Sequence, residues 1–143
     1  MLSLTCKAAI KAVVCLGSNK ESHKKLSIRE IAQQIDENEH TVGKLLQKLV
    51  KDKIINSTKG PNGGFFISEN QVHLPVIKVI ESIDGMRVFK ECGLGLDHCS
   101  DDRPCPMHED FKPIRDMFTQ MCSKKKIIDM YEPVNNGLVY LLG

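Results

Sequence analysis

Between Ser27 and Ile67 the hydrophobic period changes from helical to strand-like with hardly any connecting chain, and few folds accommodate that order. Ile28, Ile31, Ala32 and Ile35 form a helical stripe. Ser27 and Glu30 stand before it at the spacing of a capping box, in which each side chain satisfies an exposed amide at the helix start. Asp36-Glu37-Asn38 interrupts this helix, and within four residues another begins. It carries Val42, Leu45, Leu46, Leu49 and Val50 at i, i+3, i+4, i+7 and i+8, and it turns Thr41, Lys44, Gln47, Lys48 and Lys51 outward. Residues 54–58 and 64–67 are short β-prone runs, separated by the turn-forming Lys59-Gly-Pro-Asn-Gly63. A lysine-rich face on one isolated helix is ordinary solvated surface. Two helices joined by a tight turn and followed directly by a hairpin are the parts of a winged helix. In that arrangement the second helix lies in a DNA major groove, and the hairpin tip, here with Lys59 and Asn62, reaches a minor groove or backbone phosphates.

Charge distribution agrees with that expectation. Residues 1–73 carry 11 Lys+Arg against 7 Asp+Glu, net +4, whereas residues 74–143 carry 9 against 11, net −2. A basic front half suits a polyanionic partner. The amino-terminal stretch has lysines through its apolar part and lacks the layout of a signal peptide, and no run reaches the length of a membrane span. The expected setting is therefore the cytoplasm, with no membrane partner. Ala9, Ala12, Val13 and Leu16 predict a first helix over residues 2–17, stopped at Gly17. Cys6 and Cys15, nine residues apart, fall on its opposite faces as small packing residues.

Behind the hairpin, Leu74–Ile83 predicts a connecting helix with the stripe Val76, Ile77, Ile80 and Ile83, closed by Asp84-Gly85. Next comes ECGLGLDHCSDDRPCPMH, residues 91–108, where three of the six cysteines lie within fourteen residues and a histidine follows the last by three. Its glycines, prolines and aspartates describe a loop. Three thiols and an imidazole, Cys92, Cys99, Cys105 and His108, suit an iron-sulfur cluster or a zinc ion, and the spacing lacks the paired C-x2-C knuckles of structural zinc sites. A disulfide framework is disfavoured in a reducing compartment. A thiol enzyme fits poorly: no glycine-rich phosphate loop is present, and the loop is acidic where an activated thiol needs positive charge.

From Pro113 the stripe Ile114, Met117, Phe118, Met121, Cys122 and Ile128 predicts one long helix running to Pro133. Only a short tail is left to cover it, so a second copy of the same helix is the simplest partner. The expected division is a winged helix-turn-helix domain (1–73), a connecting helix and cysteine-rich loop (74–109), and a dimerisation helix with its tail (110–143). The fold class is mainly α with a small β-hairpin.

These motifs together resemble the Rrf-type winged-helix transcription regulators of bacteria. Leu4-Thr-Cys-Lys7 is similar to the family's opening. Lys59-Gly-Pro-Asn-Gly-Gly-Phe65 is similar to its wing, with lysine where arginine is usual, and the three cysteines with His108 resemble its cluster loop. The first cysteine interval is one residue longer than in cluster-binding members. Ala9 stands near where some of them offer a carboxylate from the partner's first helix, which leaves His108 as the fourth ligand. The resemblance implies a homodimer that binds double-stranded operator DNA, a repressor, whose affinity is modulated by an iron-sulfur cluster on Cys92, Cys99, Cys105 and His108, 2Fe-2S in preference to 4Fe-4S. The alternative is the same fold with a zinc or thiol-redox switch, or with no cofactor. The expected DNA contacts are Thr41, Lys44, Gln47, Lys48, Lys59 and Asn62. The expected dimer contacts are Ile114, Met117, Phe118, Met121 and Cys122.

Overall fold

The computed structural model describes residues 1–143 as six helices, a two-stranded antiparallel sheet and three single-turn 3-10 segments. Helix α1 (Leu4–Ser18) is capped by Ser3, whose Oγ accepts from the Cys6 amide at 3.0 Å, while Asp84 accepts from both the Ser3 amide and its hydroxyl. The expected one-sided stripe understates this helix. Ala8, Ala9, Ala12, Val13, Val14, Cys15 and Leu16 are all buried, so α1 is enclosed on nearly every side. Cys6 and Cys15 do lie on opposite faces, and each face enters a different core. Cys15 joins the main cluster, whereas Cys6 packs with Val76, Ile80, Val88, Phe89 and Cys122. Burial, together with the carboxylate of Asp84, pushes the Cys6 thiol up to about 12.

Helices α2 (Ile28–Ile35) and α3 (Glu39–Lys51) form the tight pair. Ser27 Oγ accepts from the Glu30 amide at 3.1 Å, and the Glu30 carboxylate pairs with Lys24 at 3.0 Å. Asp36 closes α2 in the left-handed region at φ 53°, and two residues later Asn38 caps α3. The hairpin follows as β1 (Asn56–Thr58) and β2 (Gly64–Phe66), in the register Asn56↔Phe66, Ser57↔Phe65 and Thr58↔Gly64. Leu26, just before α2, exchanges two backbone hydrogen bonds with Phe65 at 2.8 and 2.9 Å, which fixes the wing to the helix pair. That approach requires Gly64. Its φ is +143°, and a Cβ there would stand 2.8 Å from the Leu26 carbonyl oxygen.

The rear of the chain departs from expectation. A single helix from 114 to beyond 128 is instead two, α5 (His108–Lys124) and α6 (Ile127–Asn135), behind the connecting helix α4 (Val76–Asp84). The break is held by the backbone: Val76 N donates to Lys125 O at 2.8 Å and Ile127 N to Leu74 O at 3.0 Å. Lys125 and Lys126 are therefore extended and bridge to Pro75, and Asp129 accepts from the Lys126 amide to start α6. Helix α5 also begins five residues before Pro113, which is accommodated inside it. Helix α6 folds back along α1 and adds Ile127 and Tyr131 to the main core. Gly17, expected to stop the first helix, lies within it, and the ring of Tyr131 occupies the place a Cβ would take.

Alanine in an open helix interior stabilises by roughly 1 kcal/mol over glycine. At Gly17 the sign reverses, since the buried Tyr131 ring must move. Gly17→Ala is expected to cost about 1–3 kcal/mol. Urea unfolding checks this: a lowered midpoint with an unchanged slope is the expected result, and an unchanged or raised midpoint contradicts the packing described.

Candidate nucleic-acid interface and cysteine loop

Helix α3 divides its residues cleanly between core and surface. Val42, Leu45, Leu46 and Leu49 are buried and Val50 is half-buried, while Lys44, Gln47, Lys48 and Lys51 are exposed and Thr41 is half-buried. Asn38 Oδ1 accepts from the amides of His40 at 2.9 Å and Thr41 at 3.2 Å, which fixes the first turn. Ile28, Glu39, His40, Gly43, Lys44 and Gln47 line a shallow groove where the start of α2 meets α3. Lys44 forms no ion pair. Lys48, by contrast, is tied to Asp52 at 2.9 Å, and Asp52 also accepts from Ser82 Oγ on α4 at 2.6 Å. The Ser82 hydrogen bond and then the Lys48 pair hold the Asp52 carboxyl below the usual carboxylate range. Lys48 is thus a brace between α3 and α4 as much as a free cation.

Lys59, Gly60, Pro61 and Asn62 are all exposed at the wing tip, where Gly60 adopts φ 100° and its carbonyl accepts from the Gly63 amide at 3.0 Å. Two residues on this side were given no role by sequence reasoning, His40 in the groove and Arg29 on α2. His40 shares the helix face of Lys44 four residues on, a spacing that could have marked it. Arg29 is exposed and loosely paired with Glu39 at 3.9 Å.

The four soft donors of the 91–108 loop come together as two pairs, and nowhere are three gathered into one metal-ready group. Cys92 is buried and hydrogen-bonded beside Cys105; its sulfur accepts from the Leu94 amide at 3.4 Å. That amide first, and the Leu96 amide next, hold the Cys92 thiol below its ordinary range. Half-buried Cys99 lies 3.4 Å from Nδ1 of His108, which is itself buried at the start of α5. His108 Nε2 stands 2.8 Å from Asp101 Oδ1, and Lys112 pairs with the same carboxylate at 2.9 Å. Lys112 first, then His108, keep the Asp101 carboxyl low. An ionised Asp101 can only accept, so Nε2 carries a proton, while Nδ1 faces Cys99. A carboxylate orienting an imidazole in this way is how metal-bound histidines are commonly held. The donor chemistry of these side chains therefore fits a soft metal centre.

Phe111 packs against the loop backbone at Gly93, where a Cβ would stand 2.8 Å from its ring. Arg115, one turn further along α5, is 7% exposed and donates through Nη1 to the carbonyls of Glu91 at 2.9 Å and Lys90 at 3.4 Å. The outer face of α5 shows Ile114, Met117 and Met121, at 57%, 71% and 56% exposure. The rest of the expected stripe turns inward. Phe118 is half-buried and stacks on Phe89 at 5.7 Å, and Cys122 is 2% exposed within the second cluster. Cys122 is thereby corrected from a dimer contact to a core residue, its face being covered by α1 and α4. No helix is long and apolar enough to cross a membrane.

Comparison with known proteins places this geometry. The model of the Rrf2 family, described as iron-dependent transcriptional regulators, matches residues 2–133. A candidate HTH-type transcriptional regulator of Aquifex aeolicus (strain VF5) is 24% identical over 132 residues, covering 91% of this chain and 90% of that protein. Among solved structures, CymR (YrzC), the global cysteine regulator of B. subtilis, superimposes with a TM-score of 0.74 at 17% identity, over 92% of this chain and 96% of that one. IscR of T. potens gives a TM-score of 0.72 at 15% identity, over 98% and 92%. At these identities the structural likeness establishes the winged-helix fold, and function has to be argued from the sites.

Proposed function

Since the chain belongs to the Rrf2 family of transcriptional regulators, we propose that it is a homodimeric repressor that reads operator DNA with α3 and the wing, its affinity set by an iron-sulfur cluster on the 91–108 loop. The observation that carries the DNA-binding surface is the partition of α3: four buried apolar residues on one side, and unpaired Lys44 with Gln47 on the other, beside a hairpin tip bearing Lys59 and Asn62. Phosphate contacts from Lys44 and Lys59 position the helix, and Thr41 and Gln47 face base edges. Lys48 contacts a phosphate only by giving up part of its pair with Asp52. The reading of Cys92, Cys99, Cys105 and His108 as ligands, 2Fe-2S in preference to 4Fe-4S, is supported by their donor chemistry and by the Asp101-oriented imidazole. The reading of α5 as the dimer helix is supported by its outward Ile114, Met117 and Met121, with Phe118 at the edge.

Lys44→Ala and Lys59→Ala are each expected to weaken binding to all DNA sequences alike and to lower the slope of log affinity against log salt by about 0.9. Fluorescence anisotropy across a salt series measures both quantities, and unchanged slopes in the two variants would remove the docking model. Lys48→Ala should have the smaller effect of the three.

A carboxylate at Met117 would be desolvated between two copies of α5, an effect of several kcal/mol when unpaired. Met117 makes no core contact that Met117→Asp would break, unlike Phe118. Sedimentation velocity should therefore show a folded monomer, and an undisturbed dimer would place the interface elsewhere.

Anaerobic reconstitution tests the cofactor. Wild type should take up iron and sulfide and show a visible chromophore. Cys99→Ser should lose it, and His108→Ala should show a weaker, shorter-lived one. Uptake of zinc with no chromophore would favour the metal-switch alternative on the same fold.

A further inference from the structure

Arg115 is the one charged residue of the chain, apart from His108, that the fold buries, and it is buried without a counter-charge. No carboxylate pairs with it. Nη1 is used on the carbonyls of Glu91 and Lys90, the two residues that lead into Cys92, and Nε is enclosed with no hydrogen-bond partner at all. An arginine stays protonated even when enclosed, so such a site carries an uncompensated positive charge and an idle donor. Buried charges persist where something of opposite sign completes them. Asp101 is committed to Lys112 and His108, Glu91 pairs with Arg87, and the other acidic residues of this end of α5, Glu109, Asp110 and Asp116, are exposed and form no pair with Arg115. What remains beside Arg115 is the loop of thiols that begins at Cys92.

We propose that Arg115 is the buried counter-charge and anchor for an anionic metal centre on the 91–108 loop, its guanidinium holding the loop entrance to α5 and offsetting the charge of the thiolate ligands. The proposal rests on the cluster reading above. Three thiolates outweigh the charge of a 2Fe-2S core even with a neutral imidazole as the fourth ligand, and one-electron reduction deepens the negative charge. A fixed cation nearby favours the reduced form more than the oxidised one, so Arg115 raises the reduction potential. It also makes centre and fold mutually stabilising, because loading removes the penalty of an enclosed, unpaired guanidinium. Arg115 is a positioning residue and is no ligand.

Two substitutions separate the charge from the anchor. Arg115→Gln keeps an N–H donor for the Glu91 carbonyl and loses the charge, whereas Arg115→Lys keeps the charge on a different frame. The full-length protein and both variants are reconstituted anaerobically with iron and sulfide. Metal and sulfide content, the midpoint potential and the melting temperature of apo and loaded forms are then measured. In Arg115→Gln the one-electron reduction equilibrium should fall by about tenfold, a drop of about 59 mV, and the rise in melting temperature on loading should shrink. Arg115→Lys should restore most of both effects. A purely structural arginine would instead lower apo and loaded melting temperatures together and leave the potential unmoved, and that result overturns the proposal. Equal potentials and equal loading stabilisation in all three proteins overturn it as well, with the cluster reading intact. If Arg115→Gln fails to fold, the decision passes to Arg115→Lys, where loss of the loading stabilisation despite a retained charge counts against it. A wild-type protein that takes up neither iron nor sulfide rejects both readings, and the metal analysis shows that this is the step that failed.

Discussion

The enclosure of α1 governs the rest of the molecule. A helix with alanines, valines and cysteines on almost every face cannot remain at a surface, so other elements must close around it. Helices α2 and α3 cover one side, α4 another, and α6 a third, with Gly17 allowing the Tyr131 ring to lie directly on the α1 backbone. Because α6 comes from the far end of the sequence, the winged-helix half and the carboxy-terminal half share one core. The wing is fixed to this body by the Leu26–Phe65 backbone pair, so its tip and α3 have a defined relation to one another.

Helix α5 is the element this arrangement leaves partly outside. Its inner face, Phe118 and Cys122, belongs to a small second core with Cys6, Val76, Ile80, Val88 and Phe89. Its outer face is apolar and uncovered within one chain. Its first turns hold the cysteine loop through His108, Phe111 and Arg115, and just beyond its end Lys125 and Ile127 hydrogen-bond to Val76 and Leu74, which follow the wing. One helix thus touches the loop of soft donors, the segment leaving the winged-helix half and an uncovered apolar surface. For a regulator that arrangement is economical, since a coupling of only about 1–3 kcal/mol between sites changes affinity roughly 5- to 150-fold.

The cysteines show how burial sorts identical residue types. Cys6, Cys15 and Cys122 are packed in apolar surroundings that raise their thiols, which makes them inert small hydrophobes. Cys92 is also buried, though less deeply, and backbone amides aim at its sulfur and lower the thiol instead. The difference lies in the loop conformation that the glycines at 93 and 95 permit, and burial alone does not supply it.

Local rules made much of this legible in the chain itself. The stripe on α3 specified which residues are core and which are surface, the Ser27 cap specified where α2 starts, and the glycine-proline tip specified a protruding wing, because each depends on neighbours within a few residues. The sequence likewise determined which side chains are able to hold a soft metal. What it left open depends on long-range packing. Continuity of apolar spacing from Ile114 to Ile128 could not reveal that Lys125 and Lys126 would be drawn into extended pairing with residues 74–76, since those partners are some fifty positions away. The same distance concealed the inward turn of Cys122, the commitment of Lys48 to Asp52 and Ser82, and the place of Gly17 beneath Tyr131. Arg115 reads as one more surface charge in a polar helix. Only the folding of the loop entrance onto α5 encloses it, because hydrogen bonding to two distant carbonyls is a property of the assembled structure.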